Sequence, residues 1–164
     1  MLGLVFMWSG LIVPWLTLFF MDGRILRRYL PAALAVSLLN TVTSQLAWHY
    51  QWWTIERPMF VWSSAIDFPL VYGAFLIGTI WILAFTFHKW WMFAIVNLAI
   101  DAFFSFVMPG VLRAMNLIDV RITGWQLYGI LLFTAVLLYL FQLWYEGEGA
   151  EITIGRGSRA GGRA

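Results

Sequence analysis

Long apolar runs separated by short polar interruptions organise this chain. Five runs approach or exceed the roughly 20 residues needed to cross a bilayer as a helix. They are Leu2 to Met21, Tyr29 to Trp48, about Phe68 to Phe87, Trp90 to Leu112 and Trp125 to Trp144. Their length argues for helix over strand. They lack the short alternating segments of an outer-membrane barrel, and a lipid-embedded backbone must satisfy its own hydrogen bonds. The pattern predicts an all-α integral membrane bundle of five transmembrane helices over residues 1–145. A disordered, Gly/Arg-rich cytoplasmic tail is expected at 146–164. The first run lacks a basic leading region, and no small-residue cleavage site precedes "DGRILRR", so it reads as a retained helix.

Composition agrees. Of the 164 residues, 62% are hydrophobic and 11% charged, too few charges for the surface of a soluble domain. Mean hydropathy is +0.81. The net charge of +2 comes from basic residues in short loops and the tail, a pattern that topology explains without nucleic acid. Arg24, Arg27, Arg28, Lys89, Arg156, Arg159 and Arg163 fall on one side, against Arg57, Arg113 and Arg121 on the other. The positive-inside rule then puts the N-terminus outside and the C-terminus in the cytoplasm of a multi-pass protein of the cell membrane.

The polar residues inside the runs carry the candidate chemistry. Asp101 lies at the midpoint of the fourth run, where an acid costs about 2.5–3.5 kcal/mol to insert. Asn97 and Ser105 share its helical face at i−4 and i+4. The second run has its own polar face: Ser37, Asn40, Thr41 and Ser44. In a five-span topology the second and fourth helices run parallel. Asn40 and Asp101 then differ in depth by only ~2–3 Å, so Asn40 or Ser44 is expected to hydrogen-bond Asp101. Two readings of this cluster stand side by side. Asp101 is either a neutral, hydrogen-bonded tie between helices or the wall of a wet cavity, holding a proton, a cation or a basic group.

Asp67 opens "DFP" at the start of the third run and reads as a helix cap or an acid at a cavity mouth. Ala74 and Gly78 form a small-xxx-small pair suited to close helix packing. Pro14 and Pro109 are expected to kink their helices. The longest loop, "HYQWWTIERPMFVWSSAID", reads as an aromatic interfacial belt or as a short element covering a cavity.

Several chemistries drop out. Cysteine is absent, removing thiolate metal sites and cysteine redox chemistry. The two histidines, His49 and His88, belong to opposite faces of the membrane, which disfavours a bis-histidine haem. The sole lysine, Lys89, sits in a tight loop. No HExxH, GxSxG, P-loop or dinucleotide fingerprint occurs. No catalytic residue, metal or cofactor is expected.

The third and fourth runs carry a resemblance. Asp67-Phe68-Pro69, Gly73, Gly78, Thr79, Trp81, Thr86, Lys89, Asn97 and the "DAFF" run from Asp101 to Phe104 are similar to a family of small uncharacterised multi-pass membrane proteins of spore-forming Gram-positive bacteria. The similarity extends upstream through "RRYLPAALAVSLLNTVTSQ" and downstream to "LYLFQL", without the Gly/Arg tail. It implies a bacterial cell-membrane location and brings no activity, cofactor or substrate.

The leading expectation is a non-enzymatic structural or accessory membrane component. The alternative is a small transporter or channel component using Asp101 as its proton or cation site. The partners expected are the lipid bilayer and either further copies of the chain or another membrane protein, with no nucleic acid.

Overall fold

The computed structural model describes residues 2–60, 62–87 and 89–160, with side chains described for 3–60, 62–87 and 89–147. The described residues form five helices and a two-stranded ribbon. Helix α1 (Leu2–Thr17) ends in a short 3-10 turn, Leu18–Phe20. Helix α2 spans Gly23–His49 and strand β1 Trp53–Ile55. Helices α3 (Leu70–Thr86) and α4 (Trp90–Ala114) form a hairpin. Strand β2 (Ile118–Val120) leads into helix α5 (Gly124–Ala160). Four helices, α1, α2, α4 and α5, are long and apolar enough to cross a membrane. Helix α3 matches the third apolar run but falls short of that length. Its start is delayed to Leu70 because Pro69 takes the N-cap.

Helix α2 begins six residues before its apolar run. The reason is local: Asp22 caps it, accepting the Arg24 N–H at 2.9 Å, and this satisfies an amide the first turn cannot. Helices α2 and α4 end in the same way. Gln51 and Asn116 adopt left-handed φ values of 57° and 54°. The next amides, of Trp52 and Leu117, reach back to Ala47 (2.8 Å) and Leu112 (3.0 Å). These are two Schellman-type stops, and each turns the chain directly into a strand. The strands pair antiparallel, Trp53 opposite Val120 and Ile55 opposite Ile118, so the second and fourth loops close one end of the bundle together. Arg113 ties the ribbon to α4 through Asp119 (2.9 Å) and the Val120 carbonyl (2.6 Å). The long aromatic loop therefore forms a structured cover over the apolar cluster of Met7, Leu112, Leu117 and Ile118.

At the opposite, hairpin end the packing is dense. Tyr29, Ala32, Ala33 and Val36 of α2 meet Leu76, Ile77, Ile80 and Leu83 of α3, with Phe87, Phe93 and Leu138 completing the core. Arg28 grips Glu146 with two bonds of 2.6 Å, joining the start of α2 to α5. Gln142, one turn earlier, donates to the same carboxylate at 2.9 Å. Glu146 thus belongs to the bundle, where the sequence reading begins the tail. The helical backbone also continues past it. The tail's side chains from residue 148 and the fold of 161–164, like His88, lie outside the described residues.

The close helix crossing is not at Ala74 and Gly78. A Cβ at Gly73 would land on the Gly10 carbonyl, so α1 and α3 cross there at backbone contact. A Cβ at Gly78 would meet nothing within 4 Å.

Candidate functional site

Both helices of the hairpin are wound as π-helix where they face the ribbon end, over Leu70–Phe75 and Phe103–Val107. For α4 the cause is Pro109. It has no N–H to give the Ser105 carbonyl and its ring crowds that oxygen, so the preceding turn widens. Near the end of α1 the Thr17 hydroxyl donates to the Pro14 carbonyl at 2.6 Å. The two π segments bring Phe75 and Phe104 together, ring centroids 5.0 Å apart.

Asn97, Asp101 and Ser105 are all buried on the inward face of α4, as their spacing requires. Asn97 Nδ2 donates to the Phe93 carbonyl of its own helix at 2.8 Å. Asp101 is 7% exposed, and among the described residues no donor reaches its carboxyl group; Oδ2 is fully enclosed and unpartnered. The Ser105 hydroxyl is likewise buried without a partner.

The expected bond from Asn40 or Ser44 to Asp101 does not form. The polar face of α2 is taken by α3 instead: Thr41 Oγ1 lies 3.0 Å from the Tyr72 hydroxyl, and Ser37 approaches the Val71 carbonyl at 3.5 Å. Helices α2 and α4 each pack against α3 and α5 and face one another across a gap. Asn40 and Asp101 therefore stand on the walls of one chamber rather than in contact. The chamber measures about 550 Å³. Asn40, Thr79, Asn97, Asp101 and Thr134 supply its polar groups, and its other walls are carbon-rich, including Gly78, Phe75, Phe103 and Phe104.

Two smaller cavities lie toward the ribbon, of about 210 and 110 Å³. Asp67 lines both. Ser44 lines the smaller one, away from Asp101, and Asn40 borders both that cavity and the main chamber. Phe104 is the one residue bordering all three. The voids thus form a series from Asp67 under the ribbon to Asp101 in the middle of α4, with Phe104 at their junction.

Chain, family models, curated proteins and solved structures were compared, and nothing matches.

Asp67 fits both of its sequence readings. Its Oδ1 accepts the Leu70 N–H at 3.3 Å, at the start of α3, and its side chain also walls two cavities. Desolvation pushes its carboxyl up to about 6, against the opposing pull of the Leu70 N–H. Among the described residues, no three His, Asp or Glu side chains gather in a way that could hold a metal ion.

Sequence reasoning missed Phe104, Phe75 and Gly78 as parts of the site. The signal available for Phe104 and Phe75 was that Pro69 and Pro109 stand within a turn or two of each, on neighbouring helices. The role of Gly78 had no local signal, because an open space beside a glycine is made by other helices.

Proposed function

We propose that this chain is a non-enzymatic, multi-pass integral membrane protein that acts as a small transporter or channel component, with Asp101 as its proton or cation site. One observation carries the reading: a buried carboxyl group without a donor faces a chamber of about 550 Å³. An acid kept as a structural tie would have its oxygens bonded, because each unpaired buried polar group costs about 1–3 kcal/mol and more when charged. The accessory or structural role accounts for the helices but gives no reason for that acid.

In this reading α3 completes a five-helix bundle, crossing with help from Asp67 and the ribbon at one end and Lys89 at the other. The excess of basic residues at the hairpin end supports a cell-membrane protein with its N-terminus outside and C-terminus in the cytoplasm. The resemblance to membrane proteins of spore-forming bacteria supports the same location. A chain of this size forms an open-sided chamber rather than a full pathway, so the working unit is an oligomer or a complex with another membrane protein.

The test uses purified protein in liposomes. The wild type should dissipate an imposed pH or monovalent-cation gradient faster than protein-free vesicles. Asp101→Asn, inserted and folded to the same extent, should lose at least about tenfold of that flux. Equal flux through the variant, or none through the wild type, sinks the reading and returns the protein to an accessory role.

A further inference from the structure

We propose that the ligand of the Asp101 chamber is a lipophilic organic monocation, a molecule with one positive charge on an apolar or aromatic body. The inference rests on the reading of Asp101 as a cation site and names the class of cation.

Three features of the chamber select it. The first is charge. Asp101 is the only ionisable side chain among the residues lining the chamber, and its Oδ2 is buried and unpartnered, so the site balances a single positive charge. The second is the wall. A bare inorganic cation taken from water needs a shell of about six or more oxygens to replace its hydration. The side-chain oxygens lining the chamber belong to Asn40, Thr79, Asn97, Asp101 and Thr134, on four different helices, and they form a small part of its surface. Most of the remaining wall is hydrocarbon, which solvates an apolar body and leaves a hydrated ion unsatisfied. Aromatic rings at Phe75, Phe103 and Phe104 add faces that attract a diffuse cation. The third is size. A volume of about 550 Å³ lies within the range of sites that hold drug-sized molecules, roughly 300–1,000 Å³. A proton or an alkali-metal ion has no use for that space.

The probe is tetraphenylphosphonium, a cation with a delocalised charge and four aromatic rings. Full-length protein in detergent should bind it saturably, one per chain, by equilibrium dialysis. Asp101→Asn removes the charge and should weaken binding at least tenfold. Gly78→Leu adds bulk to the chamber wall and leaves the Asp101 carboxyl group in place, and a Cβ there meets nothing within 4 Å. It should weaken binding to a similar extent. Size-exclusion profile and helical circular dichroism establish that each variant is folded; if Asp101→Asn fails to fold, Gly78→Leu carries the test alone. Binding unchanged in both variants overturns the inference, as does no saturable binding to the wild type. The two readings separate cleanly. Asp101-dependent flux of protons or inorganic cations without tetraphenylphosphonium binding refutes the organic ligand and leaves the cation site standing. Absence of both removes the cation site as well.

Discussion

The two ends of this bundle are built on opposite principles. At the hairpin end, α2 and α3 interlock through small and branched residues, Ala32 and Ala33 against Ile77, Ile80 and Leu83, all 1% exposed or less. Arg28 and Glu146 tie the periphery with two short bonds. At the ribbon end, π-wound helices and a two-strand cover surround a smaller apolar cluster that stands beside a series of cavities. The acids follow the same division. Glu146 is paired with Arg28, whereas Asp67 and Asp101 face voids. The contrast teaches where to look for work: a filled end holds the helices in place, and a hollow end has room for a ligand.

That contrast can be broken by truncation. Ile80→Ala, in the filled end, should cost about 2–5 kcal/mol, the usual range for deleting a fully buried aliphatic side chain. Thermal unfolding in detergent would read it as a clear loss of melting temperature. A change within error would mean that the hairpin end is not the densely packed half.

Two glycines on one helix sharpen it further. Gly73→Ala forces a methyl group onto the Gly10 backbone and should destabilise by about 1–3 kcal/mol, as overpacking does. Gly78→Ala puts the same methyl into open space and should be neutral or stabilising by up to about 1 kcal/mol. Equal effects at both positions would remove the distinction between crossing point and cavity wall.

The smallest expected effect concerns pH. Burial raises the Asp67 carboxyl from 3.8 to about 6, so the folded state holds the proton more tightly than the unfolded chain. The stabilisation this brings is full below about pH 4 and is lost as pH rises through about 6. Asp67→Asn, which keeps an acceptor for the Leu70 N–H, should be more stable than the wild type at pH 8 by about 1–2 kcal/mol, allowing for its partial exposure. The gap should close by pH 4. A stability difference that stays flat across that range would show that Asp67 does not titrate as its burial requires.

Much of this was written into the sequence. Apolar run length located every helix, because the cost of an unsatisfied backbone in lipid leaves no other spanning form but the closed barrel. Periodicity put Asn97, Asp101 and Ser105 on one inward face, since helical spacing is a local property. Asn40 and Asp101 do line one chamber. What failed were the statements about partners. The expected bond from Asn40 or Ser44 to Asp101, and close packing at Gly78, depend on which helix lies beside which. Thr41 found Tyr72, Gly73 found Gly10, and Glu146 found Arg28 across more than a hundred residues of chain. The ribbon had even less signal: three-residue strands in separate loops pair only because two helix stops aim them at each other.

Sequence alone therefore determined the helices, their apolar surfaces and the presence of an acid near the middle of α4, all consequences of run length and local spacing. Tertiary structure alone decided that this acid would stand unpaired at the wall of a chamber. Helices α3 and α5 stand between α2 and α4 around that chamber, and no local pattern encodes the distance between two helices.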